Sequence, residues 1–537
     1  MKIATVEEMR AIDLNAIENL GIAAALLMEN AGNATVALMR QHLGDCQGTF
    51  ACIFIGPGAN GGDGLVIGRR LAQMGCQPLF MMLADPEQLT GEAASNYVTI
   101  GKMGIPVWPM PAQRLADACD TLYRGNQSAG RRCYALIDAI FGVGLNRPPQ
   151  GIFAEAIAWI NRIRSDCGIP VVAVDCPSGL QLNTGRVTGP CVMADHTACF
   201  GFPQPGHVMA EGKELCGKLH VLDIGLTGKN GDEDNGAILL ADDSLIKKIV
   251  APLHRPANCH KGNHGHLLIV GGSPGKTGAA LLAARGALRA GAGLISLAAS
   301  HTLLPNYTAA LPEAMTIPGT DTGEADLATI LAACDGKSAM ALGPGFGLGA
   351  NQEELALRLY LEAPLPMVVD ADAITLLAKH PDKLPEAEHP RIFTPHPGEM
   401  GRLLRCSASE VQRDRLAAVR RAQALLNQNR RQHVLLLKGA GTIIASPDEQ
   451  LFINATGNAG MATGGMGDVL TGVIGSLIGQ CLSLTKAAVV GAYLHGLAAD
   501  MLLRQTGIGY LASEVADSLP AARRRLLPDY GYPVATD

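Results

Sequence analysis

Apolar residues fall into two kinds of segment that alternate along the chain. Short unbroken runs, such as FACIFI at 50–55, HLLIVG at 266–271 and VLLLK at 434–438, end at glycine, proline or a charged residue. Runs of this length without polar alternation predict strands covered on both faces. Between them lie longer alanine- and leucine-rich stretches with helical spacing. Strands alternating with helices predict mainly parallel sheets of the α/β class. In the first half the pattern predicts helices over 5–20, 22–43 and 62–74, and strands over 50–55, 78–83, 135–138, 171–175 and 219–222. In the second half it predicts strands over 266–271, 294–298, 340–343, 367–370, 391–394 and 434–438, with long helices over 278–290 and 486–503.

The pattern breaks between about 223 and 254. IGLTGKNGDEDNG is polar and glycine-rich, and RPANCHKGNHGH follows shortly after it. The intervening AILLADDSLIKKIVAPL reads as a strand and short helix that belong to the second half. This seam predicts two domains, 1–226 and 227–537, as does the length of 537 residues.

With 48% hydrophobic and 17% charged residues, the chain can build large cores. Net charge is −6, with no long basic or acidic block, so neither nucleic acid nor a membrane surface is an expected partner. Fourteen cysteines without a C-x-x-C pair read as reduced thiols of a cytoplasmic protein. The first twenty residues lack the apolar core of a signal peptide. No unbroken run approaches the roughly 18 apolar residues of a membrane span.

The densest candidate chemistry is NATGNAGMATGGMGDVLTG at 454–472. Glycines that accept positive φ can turn successive N–H groups inward as an anion cradle. A helix starting at Gly467–Asp468 adds free N–H groups and the positive end of its dipole. A carboxylate there repels an anion unless it has a task, such as taking a proton from an attacking hydroxyl. The plainer alternative is a glycine turn whose Asp468 caps the helix.

In the first half, strand 50–55 runs into GPGANGGDG. Gly56-Pro57-Gly58-Ala59-Asn60-Gly61 formally matches the dinucleotide pattern G-x-G-x-x-G, with Asp85 closing the next strand where a ribose-binding acid belongs. Alone this pattern is weak evidence. Two further polar strand ends follow, IDAIFGVG (137–144) and VDCPSG (174–179). Ligands bind at carboxyl ends of parallel strands, so Asn60, Asp138, Asp175 and Ser178 are candidates to converge. An oxygen-rich set without Cys or His suits a hard cation, leaving one carboxylate to move a proton. Individually, each aspartate could instead cap a helix or loop.

GGSPGKT at 271–277 imitates a P-loop, but the spacing requires glycine at Val270. LGPGFG (342–347), TPHPGEMGRLL (394–404) with His396, and LLLKGAGTIIA (435–445), two strands joined by a glycine turn, are the more informative strand ends. His254, His260, His264 and His266 lie at no standard zinc spacing. His396 has a plainer reading as a histidine bonded to backbone, and the Ala/Leu stripe at 279–288 reads as core packing.

GANGGDG, DAIFGVG and VDCPSG resemble the amino-terminal epimerase module of the bifunctional NAD(P)H-hydrate repair enzymes, over nearly the whole first half. RPANCHKGNHGHLLIVGGS, GAALLAARGALRAGAGL, GPG, TPHPGE, KG and NAGMATGGMGDVLTG resemble, in order, the dehydratase module of the same enzymes. The resemblance implies a Rossmann-like first domain and a ribokinase-like second one. It implies that Ala59, Asn60, Gly61, Gly62, Asp63, Gly142, Val143, Gly144, Leu145, Asn146, Arg147, Pro148 and Asp175 meet the substrate, with Asp175 at the reacting carbon. Asn60, Asp138 and Ser178 would hold K⁺. Ala59 stands where the family usually has another asparagine. In the second half Ala279, Gly345, His396 and Asp468 would contact the hydrated dinucleotide. Lys438, Gly439, Ala440, Gly441, Thr442 and Gly467 would contact the adenine nucleotide.

The implied chemistry is repair of NADH or NADPH hydrated at C6 of the nicotinamide ring. Asp468 would be the base of an ADP- and Mg²⁺-dependent dehydration of the S hydrate, giving AMP and phosphate. Asp175 would serve the interconversion of R and S forms. ATP as donor is the alternative within the family. Resemblance to ribokinase-like proteins also implies a homo-oligomer. Two rival readings are a ribokinase-like small-molecule kinase with an unrelated first domain, and a nucleotide-binding regulator with inactive sites.

Overall fold

The structure is a computed structural model that describes residues 1–111, 113–144, 147–226, 237–319, 324–430 and 432–527. The chain divides into two compact units, Lys2–Asp232 and Glu233–Asp537 together with Met1. The division falls inside the polar seam.

The first unit is built on seven strands in the order Val107–Pro109, Gln77–Met82, Phe50–Ile55, Cys133–Ala139, Val171–Val174, His196–Phe200 and Lys218–Leu222. Each neighbouring pair is parallel. Phe50–Ile55 is buried along its whole length. From this strand the order runs one way to 77–82 and the other way to 133–139. That reversal opens a crevice at the carboxyl ends, where such sheets bind ligands. Two strands escaped the sequence pattern. VWP is a three-residue edge strand, and HTACF begins with polar residues that its neighbours nevertheless cover.

Helix Ala59–Gln73 starts three residues before the predicted 62. Asn60 to Asp63 therefore lie in its first turn, not in a loop, and Ala59, Asn60 and Asp63 line the crevice. The predicted helix 5–20 is an α-helix, Val6–Leu14, that runs into a π-helical turn, Asn15–Asn19. Asp85 caps a 3₁₀ turn, accepting from Glu87 N at 3.0 Å, and is not among the crevice residues.

Ten strands of the second unit run in the order Ile238–Leu240, Leu451–Asn454, Thr442–Ala445, Val434–Leu437, Arg391–Phe393, Met367–Val369, Ala339–Leu342, His266–Val270, Leu294–Ser300 and Met315–Gly319. The pairs 434–437/442–445 and 442–445/451–454 are antiparallel and the others parallel. Met315–Gly319 was not predicted because it holds Pro318, which an edge strand tolerates. The order reverses between 266–270 and 339–342, placing a second crevice there.

Helices Thr277–Ala290 and Met466–Gly479 pack with backbones nearly touching. A Cβ on Gly472 would lie 1.8 Å from the Ala283 carbonyl oxygen, so the small residues of both helices set their approach. Helix Leu484–Thr506 covers the predicted 486–503. It is long and apolar enough to cross a membrane by length and composition, but 72% of its apolar window is buried. It is a core helix, and Lys486, His495, Asp500 and Arg504 keep it from reading as an unbroken apolar run.

Candidate functional sites

The crevice of the first unit is a cavity of about 570 Å³ lined by Met9, Asp13, Met28, Gly58, Ala59, Asn60, Asp63, Glu92, Phe141, Gly142, Val143, Gly144 and Asp175, among others. Asp138, Ser178, Asp175 and Asn60 come from three strand ends, as expected. Ser178 Oγ donates to Asp138 Oδ1 at 2.6 Å, and Ser178 N donates to Asp138 Oδ2 at 2.8 Å. Phe141 N donates to Ser178 Oγ at 2.9 Å. These bonds tie the 137–144 loop to VDCPSG. Burial pushes the Asp138 carboxyl up to about 6, against the pull of those donors.

Asp175 stands just beyond its strand with φ +65°, a left-handed conformation that costs a residue with a Cβ. Its Oδ2 accepts from Val143 N at 3.2 Å. A Cβ on Gly142 would stand 2.9 Å from the same oxygen, so glycine there keeps the carboxylate's face open. Asp175 O accepts from the buried His207 at 3.1 Å. Gln204 N donates to His207 Nδ1 at 3.0 Å, so the proton belongs on Nε2. Burial lowers His207 to about 4, which keeps it neutral and able to hold the strained backbone. Asp175 itself is pushed up to about 6, first by burial. Asp63 is driven well above the ordinary carboxylate value by burial and by the charges of Asp175 and Asp13.

Asn60 is 7% exposed, and its Oδ1 and Nδ2 have no hydrogen-bond partner. A buried amide left bare costs roughly 1–3 kcal/mol, which marks it as a ligand for something bound. Arg147 is exposed and neither it nor Pro148 lines the cavity. Leu145 and Asn146 lie outside the described residues. Asp13 and His207 carried no sequence signal. Asp13 reads as one acid on a polar helix face, and His207 sits in the four-residue helix Pro205–Val208 between two strands.

In the second unit the centre is Asp370, the N-cap of helix Ala371–Leu377, 1% exposed. Lys438 Nζ donates to its Oδ1 at 2.7 Å, Thr394 Oγ1 to Oδ1 at 2.8 Å and Thr471 Oγ1 to Oδ2 at 2.7 Å. Three strand ends and the helix 466–479 thus meet on one carboxylate. Glu399 Oε2 lies 3.8 Å from Lys438 Nζ and accepts from His396 N at 2.7 Å. A Cβ on Gly467 would lie 3.3 Å from Lys438 Nζ, so glycine lets the ammonium reach the helix N-terminus.

Asp468 lies in the first turn of Met466–Gly479, behind Gly465 at φ +89°. Burial first, then the Asp370 charge, push it up to about 7, against the pull of Lys438. Burial likewise lifts Glu399 to about 7. Burial opposes the Lys438 charge, but Asp370 and Glu399 outweigh it and raise the ammonium above its usual value. Asp468 also lines an open cavity of about 590 Å³ with Lys276, Ala279, Leu282, Gly345, Asp372 and Gly464. Gly345 needs its glycine, with φ +61° and a Cβ that would lie 2.5 Å from Lys276 O.

His396 is not in that lining. Its Nδ1 accepts from Gly398 N at 3.0 Å and caps helix Pro397–Leu404, which is the backbone-bonded role, although the ring remains half exposed. Lys276 pairs with Asp372 at 2.9 Å and does not stand in a P-loop. Among the described residues no group of three His, Cys, Asp or Glu is arranged for a metal ion. His254, His260, His264 and His266 form no such centre.

The glycine turn 438–441 rests on Arg415, which is 2% exposed. Its Nη2 donates to Leu437 O, Lys438 O and Gly441 O at 3.4, 3.3 and 3.2 Å. Arg415→Met should keep the apolar stem and strip these acceptors. Each costs roughly 1–3 kcal/mol when bare, so melting should drop by several degrees at about 2–4 °C per kcal/mol. Calorimetry checks it, and an unchanged transition would mean the turn needs no such support.

Two α/β units, each with ionisable carboxyls at a crevice of its parallel strands, define a two-site enzyme. The family model for NAD(P)H-hydrate dehydratase matches residues 267–521, and that for the YjeF-related protein N-terminus matches 24–206. The chain is 38% identical to a bifunctional NAD(P)H-hydrate repair enzyme of Moorella thermoacetica, over 98% of this chain and 97% of that one. It is 34% identical to the enzyme of that name from Escherichia coli, over 96% and 92%. A solved ADP/ATP-dependent NAD(P)H-hydrate dehydratase of Bacillus subtilis, crystallised with ATP and Mg²⁺, is 30% identical over 54% of this chain and 98% of its own, with a TM-score of 0.46. The chain belongs to the bifunctional NAD(P)H-hydrate repair enzymes.

Proposed function

We propose that residues 1–226 epimerise R and S NAD(P)HX and that residues 227–537 dehydrate the S form with ADP as phosphoryl donor. The observation that carries the second assignment is Asp468, a carboxyl titrating near neutrality in the first turn of a glycine-entered helix. Hydroxide is a poor leaving group. Asp468 takes the proton of the C6 hydroxyl as a phosphoryl group arrives. Free N–H groups and the dipole at the helix N-terminus carry the developing negative charge. Phosphate then leaves, pushed by the ring nitrogen, and dihydronicotinamide returns. Lys438 and the 439–442 turn hold the donor's phosphates, with Gly467 allowing close approach, and Ala279, Gly345 and His396 border the hydrated dinucleotide.

Asp370, Glu399 and Asp468 outnumber the single Lys438 charge; they are not grouped to hold a metal by themselves, but they would attract a divalent cation that arrives on the nucleotide's phosphates. Mg²⁺ would neutralise charge on the transferred group. In the first unit the bare Asn60 amide, beside the strand ends that carry Asp138 and Ser178, suits K⁺. The ion would fix the loop that presents Asp175. We assign the protein to the cytoplasm, where its fourteen unpaired cysteines would remain reduced. We also infer a homo-oligomer, which light scattering tests as a mass that is a multiple of the chain's.

The test is recovery of dihydronicotinamide absorbance from mixed R and S NADHX with Mg²⁺, K⁺ and ADP, ATP or no nucleotide. Two-phase recovery with ADP supports both assignments. Recovery with ATP alone would replace the donor. No recovery with either nucleotide would sink the dehydratase reading and favour a small-molecule kinase.

The base must be ionised to accept a proton. Below pH 7 the dehydration rate should therefore fall toward tenfold per pH unit, and above it level off. Glu399, 3.8 Å from Lys438, is lifted to about 7 as Asp468 is, so both groups titrate across the same window. A rate flat from pH 5.5 to about 8 would exclude Asp468 as the base.

A further inference from the structure

The cavity of the first unit presents four carboxyls, Asp13, Asp63, Glu92 and Asp175, and among the described residues lining it there is no lysine, arginine or histidine. Asp13 comes from helix Val6–Leu14, next to the π-helical turn whose Ile17 also lines the cavity. Asp175 comes from the carboxyl edge of the sheet. The two thus approach from different walls. The buried Asn60 amide in the same lining is without a partner, so the space is shaped for a ligand and not closed on itself. Arg10, which reaches Val143 O at 3.5 Å, is not part of the lining.

Two routes invert a carbinolamine carbon. Ring opening breaks C6–N1 and moves electron density onto nitrogen, which a cavity lined by four carboxyls and by no basic side chain among the described residues opposes. Loss of the hydroxyl as water breaks C6–O and leaves a cationic C6=N1 iminium, which the same cavity stabilises. Resting on the epimerase reading, we propose that Asp13 is a second catalytic residue of this site and works with Asp175 through the cationic route. One of the two, protonated, gives its proton to the departing hydroxyl, and the N1 electron pair expels water. Water then adds to the other face of C6 and yields a proton to the other, ionised carboxylate. One C–O bond breaks and one forms, and one proton is given and one taken. The return direction exchanges the roles.

Burial supports this division of labour. It lifts Asp13 to about 6 as it does Asp175, which the Asp13 charge raises further, so near neutrality one can hold a proton while the other is ionised.

The experiment starts from purified R-NADHX without nucleotide, in H₂¹⁸O, with the full-length chain. Inversion is followed by chromatography and oxygen at C6 by mass spectrometry, each against an enzyme-free control. Wild type should place one labelled oxygen at C6 per inversion. Asp13→Asn should invert at least ~100-fold more slowly, and Asp13→Glu should recover part of the rate. Melting curves of each variant separate lost chemistry from lost folding. Inversion by wild type that retains the original oxygen overturns the cationic route. Inversion by a folded Asp13→Asn within about threefold of wild type overturns the role of Asp13. If wild type does not invert R-NADHX at all, the epimerase assignment itself fails.

Discussion

Asp468→Asn should abolish ADP-driven recovery of NADH while leaving the protein as stable as before, or more so. The amide keeps the shape of the carboxyl but cannot accept a proton, and loss of a positioned general base costs typically 10²–10⁴-fold in rate. The stability half of the prediction follows from the raised proton affinity. A carboxyl pushed from its ordinary value to about 7 is better bound as the neutral acid in the folded chain than in the unfolded one. At and above pH 7 the fold therefore carries an ionised group it disfavours, and the strain is relieved as pH falls through 7. A neutral amide removes it at every pH. Single-turnover recovery and a melting curve on the same variant check both halves. Retained activity would dismiss Asp468 as the base, and a large drop in melting temperature would make it a structural cap.

Asp175→Asn should separate the two activities. With mixed hydrates and ADP, the S form should be consumed at the wild-type rate, and the R form should follow only as fast as it inverts spontaneously. The expected loss in inversion is again about 10²–10⁴-fold. Asparagine accepts the left-handed backbone that residue 175 adopts at φ +65° better than most residues, and the peptide that His207 holds is unchanged. The substitution therefore tests the carboxyl and not the turn. A second phase as fast as in wild type would remove Asp175 from the chemistry.

Much of this site was legible because its parts are local. The strand ends near Asn60, Asp138 and Asp175 are marked by apolar runs that stop at glycine or a carboxylate, and Asp468 by a glycine-led helix start. Asp13 was illegible because it contributes to the cavity from a helix in which one acid among several exposed ones has no distinguishing neighbour. His207 and Arg415 escaped for a similar reason. Each acts on backbone carbonyls far away in sequence, 175 for the one and 437–441 for the other, and a carbonyl has no sequence signature.

His396 shows the opposite case. Its motif marked it as a contact for the dinucleotide, whereas the fold gives its Nδ1 to the cap of its own helix. Its Nε2 lies 3.5 Å from Glu399 Oε1 while the ring stays half exposed.

From the sequence alone came the α/β class, the seam between two units, the strand ends and the glycine-led helix, since each depends on periodicity and turn chemistry within a few residues. The tertiary structure alone decided which charges meet. It brought Lys438, Thr394 and Thr471 onto the buried Asp370, and set Asp13 facing Asp175 and Asp63. Proton affinity depends on burial and on charges a few ångströms away in space, and the order of strands in a sheet, not the order of residues in the chain, determines those distances.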